Sequence, residues 1–299
     1  MAMEAASRRE FLAAGAAVAV PMIANAATGT KSSPGGRAGL LEGKVAVIYG
    51  AAGAMGSAVA RAFAREGAHV ELAGRTIERV QALATEISGT GGSAVAAKVD
   101  ALDQDSIAKH LDAVIAVRQR VDISFNLIGL DGPQGESLAT MSVKDVVAPV
   151  EGAVRTHFLT ATAAARHMAK QHAGVILALT AQVARKPYTG SGGFGIACAA
   201  IEGLCRQLAV DFGGDGIRVV ALRSAGSPDA PGVAFAIGEH ARLAGVTREQ
   251  FEARIAEKTM LKRMPRMAEV ANAAVLMASD RASAITAAVT NVTCGEIAD

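Results

Sequence analysis

Aromatic side chains are nearly missing: they make up 3% of 299 residues, with no Trp and two Tyr. A surface that stacks nucleic-acid bases needs aromatic platforms, so nucleic-acid partners lose their chemistry here. An excess of charge of either sign is missing as well. The formal net charge is +2, and no Lys/Arg block occurs, so neither a polyanion nor an anionic membrane surface is an electrostatic match. Cysteine is scarce, limited to Cys198, Cys205 and Cys294. No Cys-x-x-Cys pair exists, which excludes the usual zinc and redox motifs, and no metal site is expected. Cys198 and Cys205 fall on one expected helix, where a rise of about 1.5 Å per residue puts them too far apart for a disulfide. They read as small buried hydrophobes.

What is present is apolar and alternating. Hydrophobic residues reach 51%, enough for the core of a large α/β domain. The N-terminus is set apart. Ser7-Arg8-Arg9-Glu10-Phe11-Leu12 opens an uncharged Ala- and Gly-rich run to Ala24. Ala24-Asn25-Ala26 then offers the small residues of a cleavage site. A charged start, a short apolar run and a small-residue site read as a secretory signal over residues 1–26, and the run is too short to span a bilayer comfortably. The Arg pair resembles a twin-arginine signal. That implies a periplasmic or exported mature protein without a membrane span; a cytoplasmic protein with a frayed tail is the alternative. Residues 27–42 read as a linker and 43–299 as the fold.

Lys44–Gly50 reads as a buried strand, Ala54–Glu66 as a helix closed by Gly67, His69–Ala73 as a second strand, and Thr76–Ile87 as a second helix. The alternation continues through strands at Ser93–Val99, Val121–Leu127, Val175–Thr180, Ile217–Leu222 and Val289–Thr293. The helices between them are expected at Asp103–Arg118, about Gly152–Gln171 and about Gly193–Phe212, with another ending near Ser279. Strands alternating with helices of this length mean βαβ units and a parallel sheet. A Gly/Pro-rich turn from Ala225 to Gly232 opens an insertion at about 225–265, which is expected to act as a lid.

Gly50-Ala51-Ala52-Gly53-Ala54-Met55-Gly56 follows the first strand and opens the first helix. Small residues let the backbone approach a pyrophosphate whose charge sits at the helix start. In a strand–turn–helix context this is a dinucleotide site. At the end of strand two, where an acidic residue would hold the ribose hydroxyls of NAD, stand Gly74 and Arg75. A guanidinium suits a 2′-phosphate, so NADP(H) is expected over NAD(H).

From these residues the chain resembles the short-chain dehydrogenase/reductase family over about Gly43 to Asp299. Gly50–Gly56 is similar to that family's Thr-Gly-x-x-x-Gly-x-Gly, with Tyr49 for the Thr and Ala54 for the middle Gly. Asp100 stands where the family has its adenine-contacting Asp, followed by Ala101. Asn126-Leu127-Ile128-Gly129 matches Asn-Asn-Ala-Gly at its ends. Gly216-Ile217-Arg218-Val219, Glu269-Val270-Ala271 and Ala278-Ser279-Asp280 match later motifs. The resemblance implies a Rossmann doubly wound sheet of order 3-2-1-4-5-6-7 in a single domain, often a homo-oligomer. The cofactor contacts it implies are Gly50, Ala52, Gly53, Met55, Gly56, Arg75, Asp100, Ala101, Asn126 and Gly129.

The same resemblance implies Ser, Tyr and Lys as the groups that move a proton during hydride transfer. Carried over residue by residue, those positions hold Ala181, Phe194 and Cys198, and the Asn position falls near Ala153. No Tyr-x-x-x-Lys exists anywhere: Tyr49 and Tyr188 are followed four residues later by Gly53 and Gly192. Thr180 and Tyr188 are the substitute candidates, with His157, His167, Ser227 and Asp229 behind them. Two functions stay open: an oxidoreductase on a carbonyl or alcohol with a non-standard site, and a non-catalytic dinucleotide-binding protein, either a sensor or an inactive subunit. A purely structural protein with an empty dinucleotide site is a third.

Overall fold

Runs of Val, Ile, Leu and Ala that are apolar toward both faces can be satisfied only by a sheet covered on both sides. The computed structural model, which describes residues 38–299 apart from Asp131, builds seven of them into one sheet. The strands are β1 (Val45–Tyr49), β2 (His69–Gly74), β3 (Ser93–Lys98), β4 (Ile123–Asn126), β5 (Gly174–Ala181), β6 (Ile217–Ser224) and β7 (Ala288–Val292). Every neighbouring pair is parallel, in the order β3-β2-β1-β4-β5-β6-β7. The expected doubly wound order is thus observed. The signal expected at residues 1–26 and the linker as far as Arg37 lie outside the described residues.

Eight helices join the strands among the described residues: α1 (Ala54–Arg65), α2 (Ile77–Gly89), α3 (Gln104–Arg118), α4 (Val143–Gln171), α5 (Gly192–Phe212), α6 (Pro231–Leu243), α7 (Arg248–Lys258) and α8 (Met267–Ala278). Strand alternation sends successive side chains to opposite faces. Ala46, Ile48, Leu72, Phe125 and Leu177 pack with Phe63 of α1 and Ala274 of α8. Val45, Val47, Tyr49, Ile176 and Val219 pack with Leu111 of α3, Met168 of α4 and Ile201 of α5. Phe63 and Phe125 are fully buried and stack with centroids 6.5 Å apart; truncating either to Ala costs about 3–5 kcal/mol.

Three boundaries differ from the sequence expectation, each for a local reason. Leu41 is fully buried and its N–H donates to the Glu66 carbonyl at 2.9 Å, so the fold starts upstream of Gly43. Helix α4 begins at Val143 rather than near Gly152. Its N-cap Ser142 accepts from the Asp145 N–H at 3.1 Å, and Pro149 and Gly152, which read as breakers, are carried inside it. Strand β4 is shorter than expected, because Val121 N–H turns to Gln171 Oε1 at 2.9 Å. Helix α5 is long and apolar enough to cross a membrane by length and composition, but it packs against the sheet through Ala197, Ile201 and Leu208.

The register aligns the carboxyl ends of the strands. Tyr49 pairs with Ala73 on one side and Asn126 on the other, and Ala181 pairs with Ser224. Chain direction over the sheet reverses between β1 and β4, the topological switch point where open α/β sheets bind ligands.

Candidate functional site

Three glycines shape the turn after β1. Gly50 has φ +72°, and a Cβ there would stand 2.7 Å from the Leu127 carbonyl oxygen. Left-handed backbone and lack of room both require glycine. A Cβ on Gly56 would run into the Gly50 carbonyl. Gly53 N–H donates to that carbonyl at 3.0 Å and caps α1 without any side-chain hydrogen bond. The first turn of α1 carries no acidic residue. Its amides therefore point outward with the positive end of the helix dipole, an arrangement that takes a phosphate.

Around this turn the structure gathers the residues expected from sequence. Arg75 is exposed just beyond β2, and Ala101 is buried beyond β3. Asp100 is exposed, and its Oδ1 accepts from Leu102 N–H at 3.0 Å, an Asx turn that fixes the carboxylate at the strand end. Asn126 is buried: its Oδ1 accepts from Ile128 N–H at 3.0 Å, and its Nδ2 donates to Thr160 Oγ1 at 3.3 Å. That carboxamide shapes the β4 end next to Gly50 and leads to exposed Gly129. Arg79, one helical turn after Arg75, was not singled out from the sequence. Its Nη2 donates to the Ala52 carbonyl at 3.2 Å, which puts a second guanidinium beside the phosphate turn. The i, i+4 spacing from Arg75 was the available signal.

At the ends of β5 and β6 the picture is different. Cys198 is buried, 1% exposed, on the face of α5 that packs toward the sheet. Burial pushes the Cys198 thiol up to about 12, so it stays protonated and uncharged at neutral pH. Phe194 is half-buried in the first turn of α5, and Ala153 is fully buried. Ala181, Phe194 and Ala153 carry no titratable group.

The substitutes separate. Thr180 is buried, and its hydroxyl donates to Glu202 Oε1 at 3.0 Å, facing α5. The Asp229 carboxylate accepts from Met267 N–H at 3.1 Å and braces the start of α8. His157 is buried, with Nδ1 at 2.8 Å from the Ala153 carbonyl; it faces a small internal cavity with Asn126, Thr160 and Ser124. His167 approaches Asp112 at 3.9 Å, on helices rather than at the strand ends. Tyr188 remains at the rim, edge-on to His240 of α6 with centroids 5.6 Å apart. Helices α6 and α7 form the insertion expected at 225–265. Leu243 reaches the loop at Gly135, whose N–H donates to the Gly190 carbonyl at 2.7 Å, so α6 covers both loops.

Two buried hydroxyls there have no hydrogen-bond partner, Ser224 Oγ and Ser227 Oγ. Buried polar atoms in native proteins find partners, and a carboxamide arriving at the end of β6 would supply them. Together with the cradle at Gly50, this makes the crevice fit a nicotinamide dinucleotide.

The sheet order, the glycine turn and the unpaired hydroxyls define a Rossmann-type dinucleotide-binding protein. The sequence profile described as enoyl-(acyl carrier protein) reductase matches residues 50–296. The chain belongs to the short-chain dehydrogenase/reductase family, whose members are oxidoreductases acting on alcohols and carbonyls. It is 28% identical over 257 residues to the 7alpha-hydroxysteroid dehydrogenase of Escherichia coli (strain K12), covering 86% of this chain and 95% of that protein. Sorbitol-6-phosphate 2-dehydrogenase from Erwinia amylovora has the same fold, with a TM-score of 0.80 at 24% identity over 85% of this chain and all of that one (100%). A 7 alpha-hydroxysteroid dehydrogenase complexed with NADH and 7-oxo glycochenodeoxycholic acid superposes with a TM-score of 0.71 at 25% identity, covering 87% and 96% of the two chains.

Proposed function

We propose that this protein is an NADP(H)-dependent oxidoreductase that interconverts a carbonyl and an alcohol with a non-standard set of proton-handling groups. The observation that carries the cofactor choice is the pair of guanidiniums, Arg75 at the end of β2 and Arg79 bonded to the Ala52 carbonyl. Arg75, not a carboxylate, follows β2 directly, and Arg79 lies one helical turn on with exposed Glu78 between them; a guanidinium at the strand end suits a 2′-phosphate and disfavours a bare ribose diol. Gly50, Ala52, Gly53, Met55 and Gly56 would cradle the pyrophosphate, Asp100 and Ala101 would border the adenine, and Asn126 and Gly129 would border the nicotinamide ribose. The bound dinucleotide supplies hydride chemistry; the chain's own task is to orient a substrate at the ends of β5 and β6 and to hold a proton there.

A second reading, a non-catalytic dinucleotide-binding protein, draws on one observation. Ala181, Phe194 and the neutral, buried Cys198 leave the family's proton-handling positions without a usable proton. One experiment separates the two. Purified protein is mixed with NADPH and followed by cofactor fluorescence, then given a panel of ketones and aldehydes while cofactor absorbance is recorded. Binding with turnover supports the oxidoreductase; binding without turnover supports the second reading; no binding of NADPH or NADH defeats both.

Two further expectations belong to the proposal. Export through the twin-arginine route follows from Ser7-Arg8-Arg9 and the cleavage site near Ala26, and is tested by replacing both Arg with Lys and assaying the periplasm. Self-association follows from apolar side chains that α4 leaves exposed, Val147, Val154 and Phe158, and is tested by light scattering.

A further inference from the structure

Polar groups without partners gather where the lid meets the end of β5. Lys186-Pro187-Tyr188 lies in the loop that follows β5 and the short 3-10 turn Gln182–Ala184. Lys186 Nζ donates to the Glu296 carbonyl at 3.4 Å and lies 3.7 Å from Glu296 Oε1. Glu296 Oε2 is buried with no partner, and so is His240 Nε2. His240 meets the Tyr188 ring edge-on and stacks on Phe251 of α7, with centroids 6.2 Å apart. Tyr188 thus packs against an imidazole of the lid, and two residues back on its own loop Lys186 holds the Glu296 carboxyl of the C-terminal segment.

We propose that Tyr188 is the proton donor of this site, with Lys186 and Glu296 as positioning residues; the proposal rests on the reading above that the crevice holds a nicotinamide dinucleotide. The unpaired Ser224 and Ser227 hydroxyls are taken by the carboxamide in that reading, and the other candidates are spent elsewhere. Thr180 is bound to Glu202, His157 faces inward, and Ala181 and Phe194 have no proton to give. In the reducing direction the carbonyl carbon gains hydrogen and two electrons from the reduced dinucleotide, which is oxidised. The carbonyl π pair moves to oxygen, the Tyr188 O–H bond breaks, and its proton completes the alcohol. The phenolate regains a proton from solvent by way of the Glu296 carboxyl.

The charges around the phenol are defined. Burial raises Tyr188 above the usual phenol range, and Cys198 of α5 and Glu296 of the C-terminal segment raise it further. Burial also raises Glu296, against the pull of Lys186 on the loop and Lys258 on α7. His240 of α6 is the remaining ionisable neighbour.

The chain has two Tyr, and this makes the test clean. Tyr49 is fully buried, and burial raises its phenol beyond the titratable range. Ultraviolet tyrosinate absorbance in an alkaline titration therefore reports Tyr188 alone, and Tyr188→Phe gives the baseline and the check for unfolding. With saturating NADP+ the midpoint is expected about half a pH unit or more below that with NADPH, because the positive nicotinamide ring favours a nearby phenolate. Glu296→Gln should lower the midpoint and Lys186→Met should raise it. With a reducible carbonyl, Tyr188→Phe should lower kcat about 100-fold or more while NADPH affinity stays within about twofold of wild type. An identical midpoint with both nucleotides, or wild-type turnover by Tyr188→Phe, overturns the proposal alone. Failure of either nucleotide to bind, read by fluorescence in the same samples, removes the cofactor reading and the proposal together.

Discussion

Arg223 of β6 grips Glu202 of α5 through two parallel bonds, Nε to Oε1 at 2.9 Å and Nη2 to Oε2 at 2.8 Å. Both side chains are buried, with side-chain exposures of 4% and 7%, and Arg223 Nη1 also reaches Asp299 Oδ1 at 2.7 Å. Thr180 donates to the same Glu202 carboxylate. A bidentate, desolvated pair tolerates loss of one partner poorly, because the other charge stays buried and uncompensated. Arg223→Met should cost about 3–5 kcal/mol of stability. Thr180→Val should cost about 1 kcal/mol and leave NADPH affinity unchanged. Urea denaturation and cofactor fluorescence check both; a Thr180→Val protein of full stability that has lost turnover would restore Thr180 as a site residue.

Gly50→Ala strikes the phosphate turn directly. A methyl group there meets the Leu127 carbonyl, in a backbone conformation with φ +72°. The turn must shift away from the start of α1, so NADPH affinity should fall about 100-fold or more, on the order of 3 kcal/mol. Stability should fall less, by about 1–2 kcal/mol. Fluorescence titration beside a thermal melt separates the two effects.

The choice between dinucleotides is expected to lie with two guanidiniums. The double change Arg75→Ala with Arg79→Ala should weaken NADPH about 10- to 100-fold, as loss of charge-assisted bonds to a phosphate does, and should change NADH by less than about threefold. Parallel titrations with the two nucleotides decide it. Equal losses for both would mean that the arginines shape the turn rather than read a phosphate.

Much of this was legible in the sequence. Strand periodicity was enough for a parallel α/β sheet and for the glycine turn between β1 and α1, because both depend on local composition, whereas the sheet order came from the family resemblance. What escaped depends on contacts far apart in sequence. Arg223 and Glu202 meet only once β6 and α5 are packed, and Lys186 meets Glu296 from 110 residues away. Thr180 read as a site group because it adjoins the family's Ser position, yet alternation along β5 turns it to the opposite side, toward α5. Asp229 read as a reserve candidate for the site, and its bond to the start of α8 joins residues 38 apart in sequence. The start of α4 was missed because Pro149 and Gly152 signal a break that packing overrides.

Two buried histidines should make stability depend on acid. Burial lowers His110 and His157 to about 4 each, and neither ring nitrogen of His110 has a hydrogen-bond partner. The unfolded chain titrates near 6.5. Between about pH 6.5 and 4 the unfolded state therefore binds protons that the folded state refuses. Stability falls as pH drops through that window, by up to about 3 kcal/mol per histidine, and is insensitive to these groups above it. His110→Leu should flatten roughly half of that slope in urea melts run from pH 7 to 4.5; a wild-type midpoint unchanged over this range would contradict the burial assigned to both rings.

The account turns on a diphosphate seated against the uncapped start of α1. Isothermal titration calorimetry of the purified chain with NADPH tests this most directly. Saturable binding at one site per chain, with NADPH tighter than NADH and the signal abolished in Gly50→Ala, is the expected result. A folded wild-type protein that takes up neither nucleotide would contradict it.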